Sequence, residues 1–156
     1  MVLSYADVLE VIQPTGVSGT LFQSWCQRKV IPIDSGASEG QRGHREFTLT
    51  ETLGIVVACK VFKTDRGCHT SFVTKIIESF GAVTEKWLVQ EFAKGNTHLN
   101  QPGCGKGQLL RGQRYDDQID VKQTYEEVLE TIARIEQRLK ERSGPGRVRG
   151  LALNET

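Results

Sequence analysis

The chain has 156 residues, of which 38% are hydrophobic and 25% are charged, a composition typical of a soluble globular protein. No apolar run approaches the roughly 20 residues that span a bilayer, and Asp7 and Glu10 stand where a secretion signal would carry positive charge. We therefore expect a cytoplasmic protein with no membrane partner. The net charge of +1 excludes a uniformly basic nucleic-acid domain, so any basic surface must be local.

The first 30 residues predict two short helices joined by a turn. Asp7 can cap a first helix, which Pro14 helps to end and whose apolar residues are Val8, Val11 and Ile12. The glycine turn T-G-V-S at 15–18 ends in Ser18, which can cap a second helix at about 19–29. In that helix Leu21, Phe22 and Trp25 share one side. Such a helix-turn-helix is common in globular proteins and by itself indicates little about function.

A polar loop between two candidate strands follows this helix pair. The run V-I-P-I at 30–33 suits an edge strand, where proline is tolerated. Residues 34–43 are turn formers, and 45–47 can return as a second strand paired with the first. Two glycines, two arginines and a histidine are concentrated in the stretch GQRGHREFTLTE at 40–51. Its place after a helix-turn-helix and between two strands is that of a wing.

Three further helices and a small β element are predicted in the rest of the chain. Thr48-x-x-Glu51 is a capping box that opens a helix, and another helix runs over about 70–79. Residues 87–92 predict a strand, with a turn at 95–96 and a return strand at 97–99. The glycine-rich loop at 101–107 lacks the spacing of a phosphate-binding loop.

A heptad pattern marks the last helix, from Val121 to Leu139. Its apolar residues follow at intervals of 4, 3, 4, 3 and 4: Val121, Tyr125, Val128, Ile132, Ile135 and Leu139. We call these six residues the seam. Such a narrow stripe fits a dimerising coiled coil, or a helix packed on its own domain.

Several motifs occur together in residues 5–81. They are T15-G16-V17-S18, F22-x-x-W25, V30-I31-P32 and R45-E-F47-T48-x-x-E51. In this order they resemble the winged helix-turn-helix domain of the mercury-resistance-regulator (MerR) family and the related excisionase-like DNA-binding domains. Lys29 stands where that family usually has glycine, and Gln23 where arginine is common. The resemblance implies a recognition helix in the major groove and dimerisation through the C-terminal helix.

These patterns together predict a mostly α fold with small β elements. We expect a winged helix-turn-helix domain at 1–81, a small β-hairpin or linker at 82–118, a dimerisation (coiled-coil) helix at 119–143 and a flexible tail at 144–156. The expected function is a dimeric, sequence-specific regulator of transcription that binds double-stranded DNA without a cofactor. A homodimer would form through the seam, because two recognition helices can then read a palindromic site.

The residues expected to contact DNA divide by chemistry. Polar side chains that can reach base edges are Ser18, Thr20, Gln23 and Gln27. Basic side chains expected at the phosphate backbone or the minor groove are Arg28, Lys29, Arg42, His44 and Arg45. An ordinary solvent-exposed helix face and a solvated loop are the alternatives for these two sets.

Two other functions fit parts of the pattern. The long helix suits a protein-interaction adaptor or an antitoxin-like module with a protein partner. A metal- or thiol-responsive sensor would use soft ligands such as Cys68-His69, or Cys104 with His98. The spacing matches no metal site, however, and without a secretory signal we expect reduced thiols. No catalytic constellation is recognisable, so we expect no enzyme activity.

Overall fold

The structure, a computed structural model, describes residues 2–32, 45–64, 69–100, 109–112 and 119–143. This part of the chain is mostly helical, with two small antiparallel sheets and a long C-terminal helix. Its helices are α1 (Tyr5–Ile12), α2 (Gly19–Gln27), α3 (Leu49–Thr64), α4 (Thr70–Gly81), α5 (Glu85–Ala93) and α6 (Val121–Ser143), and a 3-10 turn spans Gln13–Thr15. The strands are β1 (Val2–Ser4), β2 (Glu46–Thr48), β3 (His98–Leu99) and β4 (Leu110–Arg111).

Helix α3 is the centre of the fold. It packs most extensively against α4 and also contacts α1 and α6. A helix that is contacted on several sides has no solvent face over most of its length, which matches the continuous burial from Thr52 to Cys59. The core around α3 includes Phe22, Trp25, Phe47 and Phe80, which are all fully buried.

Side-chain caps fix the starts of α1 and α3. The predicted capping box of Thr48 and Glu51 is confirmed: Thr48 N donates to Glu51 Oε1 at 2.7 Å, and Glu51 N donates to Thr48 Oγ1 at 3.1 Å. The cap predicted at Asp7 is wrong, because α1 begins earlier. Ser4 is its N-cap, and Asp7 is the reciprocal partner whose Oδ2 accepts from Ser4 N at 3.0 Å.

The predicted pairing of residues 30–33 with 45–47 is not what the structure shows. Strand β2 does form, but it pairs antiparallel with β1, with Leu3 opposite Phe47. Residues 30–32 are not a strand. The backbone amides of Val30 and Ile31 both donate to Trp25 O, at 2.9 and 3.3 Å, so this segment closes the end of α2 instead of offering its donors to a sheet.

The strand predicted at residues 87–92 is also wrong, because this segment lies in α5. Thr84 caps the helix by accepting a hydrogen bond from Trp87 N at 3.1 Å. Leu88 and Phe92 are buried four residues apart, on one face of the helix. The return strand predicted at 97–99 corresponds to β3, which pairs with β4 rather than with 87–92.

Helix α6 packs on its own chain. Of the seam, Val121, Tyr125, Val128, Ile132 and Ile135 are buried within the molecule, whereas Leu139 is 53% exposed. Periodicity predicted the apolar face correctly but not what covers it: here α1 and α3 do. The buried five are therefore not available to a second copy in this conformation. None of the helices that the structure describes is long and apolar enough to cross a membrane.

Candidate nucleic-acid interface

Helix α2 has one buried face and one polar face. Phe22, Trp25 and Cys26 point into the core. The side chains of Thr20, Gln23 and Gln27 are exposed, and their spacing of three and four residues places them on a common face. The structure therefore brings together three of the four residues predicted to reach base edges.

Ser18, the fourth predicted base contact, has a structural task. Its Oγ accepts a hydrogen bond from Leu21 N at 3.1 Å and so caps α2. The turn before it depends on Gly16, whose φ of +86° lies in the left-handed region that favours glycine. Ser18 is exposed and stands at the first turn of the helix, so its hydroxyl remains beside any group that approaches this end.

Two cations follow the exposed face of α2 directly. Arg28 is exposed, and its Nε donates to Ser24 Oγ at 3.1 Å, which orients the guanidinium along the helix. Lys29 is exposed and has a φ of +60°, the only positive φ of a non-glycine residue in the described ranges. Most side chains avoid this conformation, which glycine adopts without strain.

The predicted wing is described only at its end. Arg42 and His44 lie outside the described residues. Arg45 is half-buried just before β2. Burial raises the pKa of the Cys26 thiol, and the positive charge of Arg45 partly offsets that rise. Arg45 therefore lies near α2 as well as at the end of the predicted wing.

The chain segment that contains α2 has no acidic residue. From Val11 to Ile33 the sequence has no Asp or Glu. The nearest preceding carboxylate, Glu10, accepts from Arg138 Nη2 at 2.6 Å, and this ion pair lines an open depression of about 670 Å³ together with Ser18 and Gly19. Sequence reasoning missed Arg138, because no local pattern indicates that α6 ends beside the start of α2.

The soft ligands of the sensor hypothesis are only partly described. Cys68 and Cys104 lie outside the described residues. His69 caps α4, with its Nδ1 accepting from Ser71 N at 3.2 Å. His98 is buried, and its Nε2 lies 3.7 Å from Asp120 Oδ2. Within the described ranges no three His, Cys, Asp or Glu side chains gather closely enough to hold a metal ion.

Burial makes two of the four cysteines poor nucleophiles. Burial raises the pKa of the Cys59 thiol to about 12 and also raises the pKa of Cys26, which the charge of Arg45 partly lowers. In Cys68→Ser/Cys104→Ser we expect Ellman's reagent at about pH 8 to label neither thiol until the protein is unfolded. Rapid labelling of the folded variant would contradict this.

The buried Cys59 thiol also makes the stability of the fold depend on pH. Because the folded-state pKa of Cys59 exceeds its ordinary value of 9.0, its contribution to the free energy of unfolding is complete below pH 9 and is lost as the pH rises toward 12.

Comparison with known proteins gave no match. No protein-family model, curated protein or solved structure is significantly similar to this chain. The resemblance of residues 5–81 to MerR-like domains therefore stays a prediction from motifs. A functional proposal for this chain rests on its own residues and their geometry.

Proposed function

We propose that this protein is a sequence-specific regulator that binds double-stranded DNA through a winged helix-turn-helix at residues 1–81. The observation that carries the proposal is the surface of α2: an exposed polar face, two cations at its end, and no carboxylate from Val11 to Ile33. In the proposal α2 lies in the major groove, and the wing, which includes Arg42, His44 and Arg45, contacts the phosphate backbone.

Base recognition in this proposal comes from amide and hydroxyl side chains. A glutamine can bond to both N6 and N7 of adenine, and threonine can bond to several bases or contact the methyl group of thymine. Gln23 and Gln27 are exposed one turn apart, so they face neighbouring base pairs when α2 enters the groove. Thr20, nearer the N-terminus of the helix, is the third contact.

The basic residues position the helix on DNA. Arg28 and Lys29 flank the end of α2, and Arg42, His44 and Arg45 belong to the wing. Each cation that neutralises a phosphate releases counterions, which makes the affinity depend on salt. The proposal therefore predicts a steep salt dependence for a protein whose net charge is only +1.

A palindromic site requires two copies of the chain. Five of the six seam residues are buried within one molecule, so we place the contact between copies on the exposed C-terminal turns of α6 around Leu139. Sedimentation of the DNA complex with wild-type protein and with Leu139→Asp measures how many chains bind one duplex and whether this contact holds them.

The test of the proposed function is binding to random-sequence duplexes between about 50 and 200 mM salt. The slope of log affinity against log salt should fall by about 0.9 for each phosphate contact removed in Arg28→Gln/Lys29→Gln. The control Lys86→Gln/Lys122→Gln removes the same charge from α5 and from the start of α6, and it should keep the wild-type slope. Equal slopes in the two double variants, or no binding at the lowest salt, would rule out α2 as the DNA contact.

Lys29 offers a test in which stability and DNA binding change in opposite directions. Lys29→Gly removes a side chain from a backbone with a φ of +60°, so we expect the free energy of unfolding to rise by about 1 kcal/mol. The same change removes a cation and should weaken DNA binding. Lys29→Ala, the control, removes the charge without relieving the backbone. Undiminished DNA affinity in both variants would show that Lys29 makes no phosphate contact.

A further inference from the structure

A cleft lies between the 3-10 turn, α3 and α6, away from the exposed face of α2. Its volume is about 410 Å³, and its apolar walls are Val11, Pro14, Val56 and Val128. Pockets that hold small molecules measure about 300–1,000 Å³ and combine apolar walls with a few polar groups. This cleft has both features.

Charged side chains line the mouth of the cleft in two pairs. Lys60 Nζ lies 3.0 Å from Glu127 Oε1, and Arg134 Nη1 lies 3.3 Å from Glu130 Oε1. The hydroxyl of Thr131 also lines the cleft and accepts from Arg134 Nη2 at 3.1 Å. Acids and bases are equal in number, so the preferred charge of a ligand depends on which of them are fixed in place.

Lys60 is the most firmly held of these four charged groups. Lys60 Nζ donates to Thr124 Oγ1 at 2.8 Å, and the fully buried Thr124 in turn donates to the Asp120 carbonyl at 2.8 Å. The side chain of Lys60 is 30% exposed, whereas those of Glu127, Arg134 and Glu130 are 53%, 62% and 74% exposed. Both carboxylates can therefore rotate into water, while the ammonium stays at the mouth, and exposed ion pairs of this kind are weak.

We propose that this cleft is a binding site for a small amphipathic carboxylate. The ligand's carboxylate replaces Glu127 at Lys60 and takes a second charge-assisted hydrogen bond from Arg134. Its hydrocarbon part lies against the valines and the proline of the walls, where it is removed from water. The site holds a ligand without covalent chemistry, since no bond has to form or break.

A ligand in the cleft would affect the start of α2 through Thr15, and this part of the inference rests on the proposed function. Pro14 and Thr15 line the cleft. Thr15 Oγ1 donates to Ile12 O at 2.6 Å and accepts from Val17 N at 3.3 Å, immediately before the N-cap Ser18. A ligand that moves Thr15 therefore moves the residue that positions the entry to α2.

The test of the site uses octanoate as the probe, with octylamine and octanol as probes of equal chain length but different charge. Calorimetric titration of the full chain should show octanoate binding most tightly. Lys60→Met should weaken octanoate binding by roughly tenfold or more, whereas Lys60→Arg, which keeps the charge, should retain it. Lys122→Met, an exposed lysine of α6 outside the cleft, should bind as wild type does.

Several results would overturn the site. One is that octylamine or octanol binds as tightly as octanoate, and another is that octanoate does not bind to the wild type. A third is that Lys60→Met and Lys122→Met lose the same amount of octanoate affinity. Circular dichroism and thermal unfolding show whether each variant is folded. If Lys60→Met does not fold, the test rests on Lys60→Arg, which should retain octanoate binding, and on the comparison of octanoate with octylamine and octanol. None of these measurements needs DNA.

The link to α2 is tested separately, by DNA affinity with and without saturating octanoate. We expect the affinity of wild type to change and that of Lys60→Met to stay constant. DNA binding that ignores octanoate would remove the link but leave the site. Octanoate binding by a chain that binds no DNA would remove the proposed function but again leave the site.

Discussion

Gly54→Ala is expected to destabilise the protein, although a glycine-to-alanine change inside a helix normally adds about 1 kcal/mol of stability. Gly54 lies in the middle of α3 where α4 crosses it. A Cβ at this position would stand 2.7 Å from Phe80 Cβ and 3.3 Å from Ile77 Cα. Phe80 and Ile77 are both buried, and one of the close atoms is backbone, so the two helices must separate.

Forcing an extra methyl group into a packed contact costs about 1–3 kcal/mol, which exceeds the gain in helix propensity at the upper end and cancels it at the lower. Urea unfolding followed by circular dichroism measures the difference. Gly19→Ala is the matched control, because a Cβ there meets only Leu9 Cδ2 at an ordinary 3.6 Å. A Gly54→Ala protein as stable as Gly19→Ala would show that α3 and α4 can separate at no cost.

The larger loss is expected for Trp25→Ala, at about 3–5 kcal/mol of unfolding free energy. Trp25 is 1% exposed and meets Phe62 edge to face, with ring centroids 5.1 Å apart. The backbone carbonyl of Trp25 also accepts hydrogen bonds from the amides of Val30 and Ile31. The cavity left by alanine therefore lies at the point where the end of α2 is held in place. A loss of this size is a large part of the stability of an ordinary domain.

Trp87 is the control for Trp25, because it is only half-buried at the start of α5. Trp87→Ala should cost clearly less in the same urea titration. Trp25→Phe, which keeps an aromatic ring in the core, should bind DNA like wild type, because Trp25 is not available to stack on a base. A loss of DNA affinity in folded Trp25→Phe would contradict its assignment to the core.

The sequence predicted those elements whose signals are local. The starts of α2 and α3 depend on side chains that cap the helix three residues away, and both were read from Ser18 and from Thr48 with Glu51. The apolar face of α6 was likewise predicted from its period. Each signal lies within one continuous segment of the chain, so no knowledge of distant contacts is needed.

The wrong predictions concern partners that are distant in sequence. Residues 2–4 and 30–33 could each pair with β2, and the sequence does not show that Val30 and Ile31 bond to the end of α2 instead. In α5 the aromatic and branched residues at 87–92 suggest a strand. Burial of Leu88 and Phe92 on one side, together with the cap at Thr84, outweighs that preference.

In the candidate sites too, features that lie within one helix were predictable, and contacts between distant segments were not. The polar face of α2 was predictable, because it is one face of one helix. Neither the position of Arg138 beside Ser18 nor the cleft around Lys60 was predictable, because each joins α6 to an element more than 60 residues earlier. Arg42 and His44 remain predicted contacts.

The way α6 is attached also indicates the order in which the chain folds. Side-chain hydrogen bonds join α6 to residues much earlier in the chain. They connect Tyr125 with Glu85, Thr124 with Lys60 and Arg138 with Glu10, over sequence separations of 40, 64 and 128 residues. The contacts of α3 with α4 close a short loop, whereas those of α6 close long ones, which form more slowly. We therefore expect the pair of α3 and α4 to form first and α6 to dock last. Until it docks, the valines that later line the cleft stay in contact with water, and this is the stage at which the unfinished chain is most prone to aggregate.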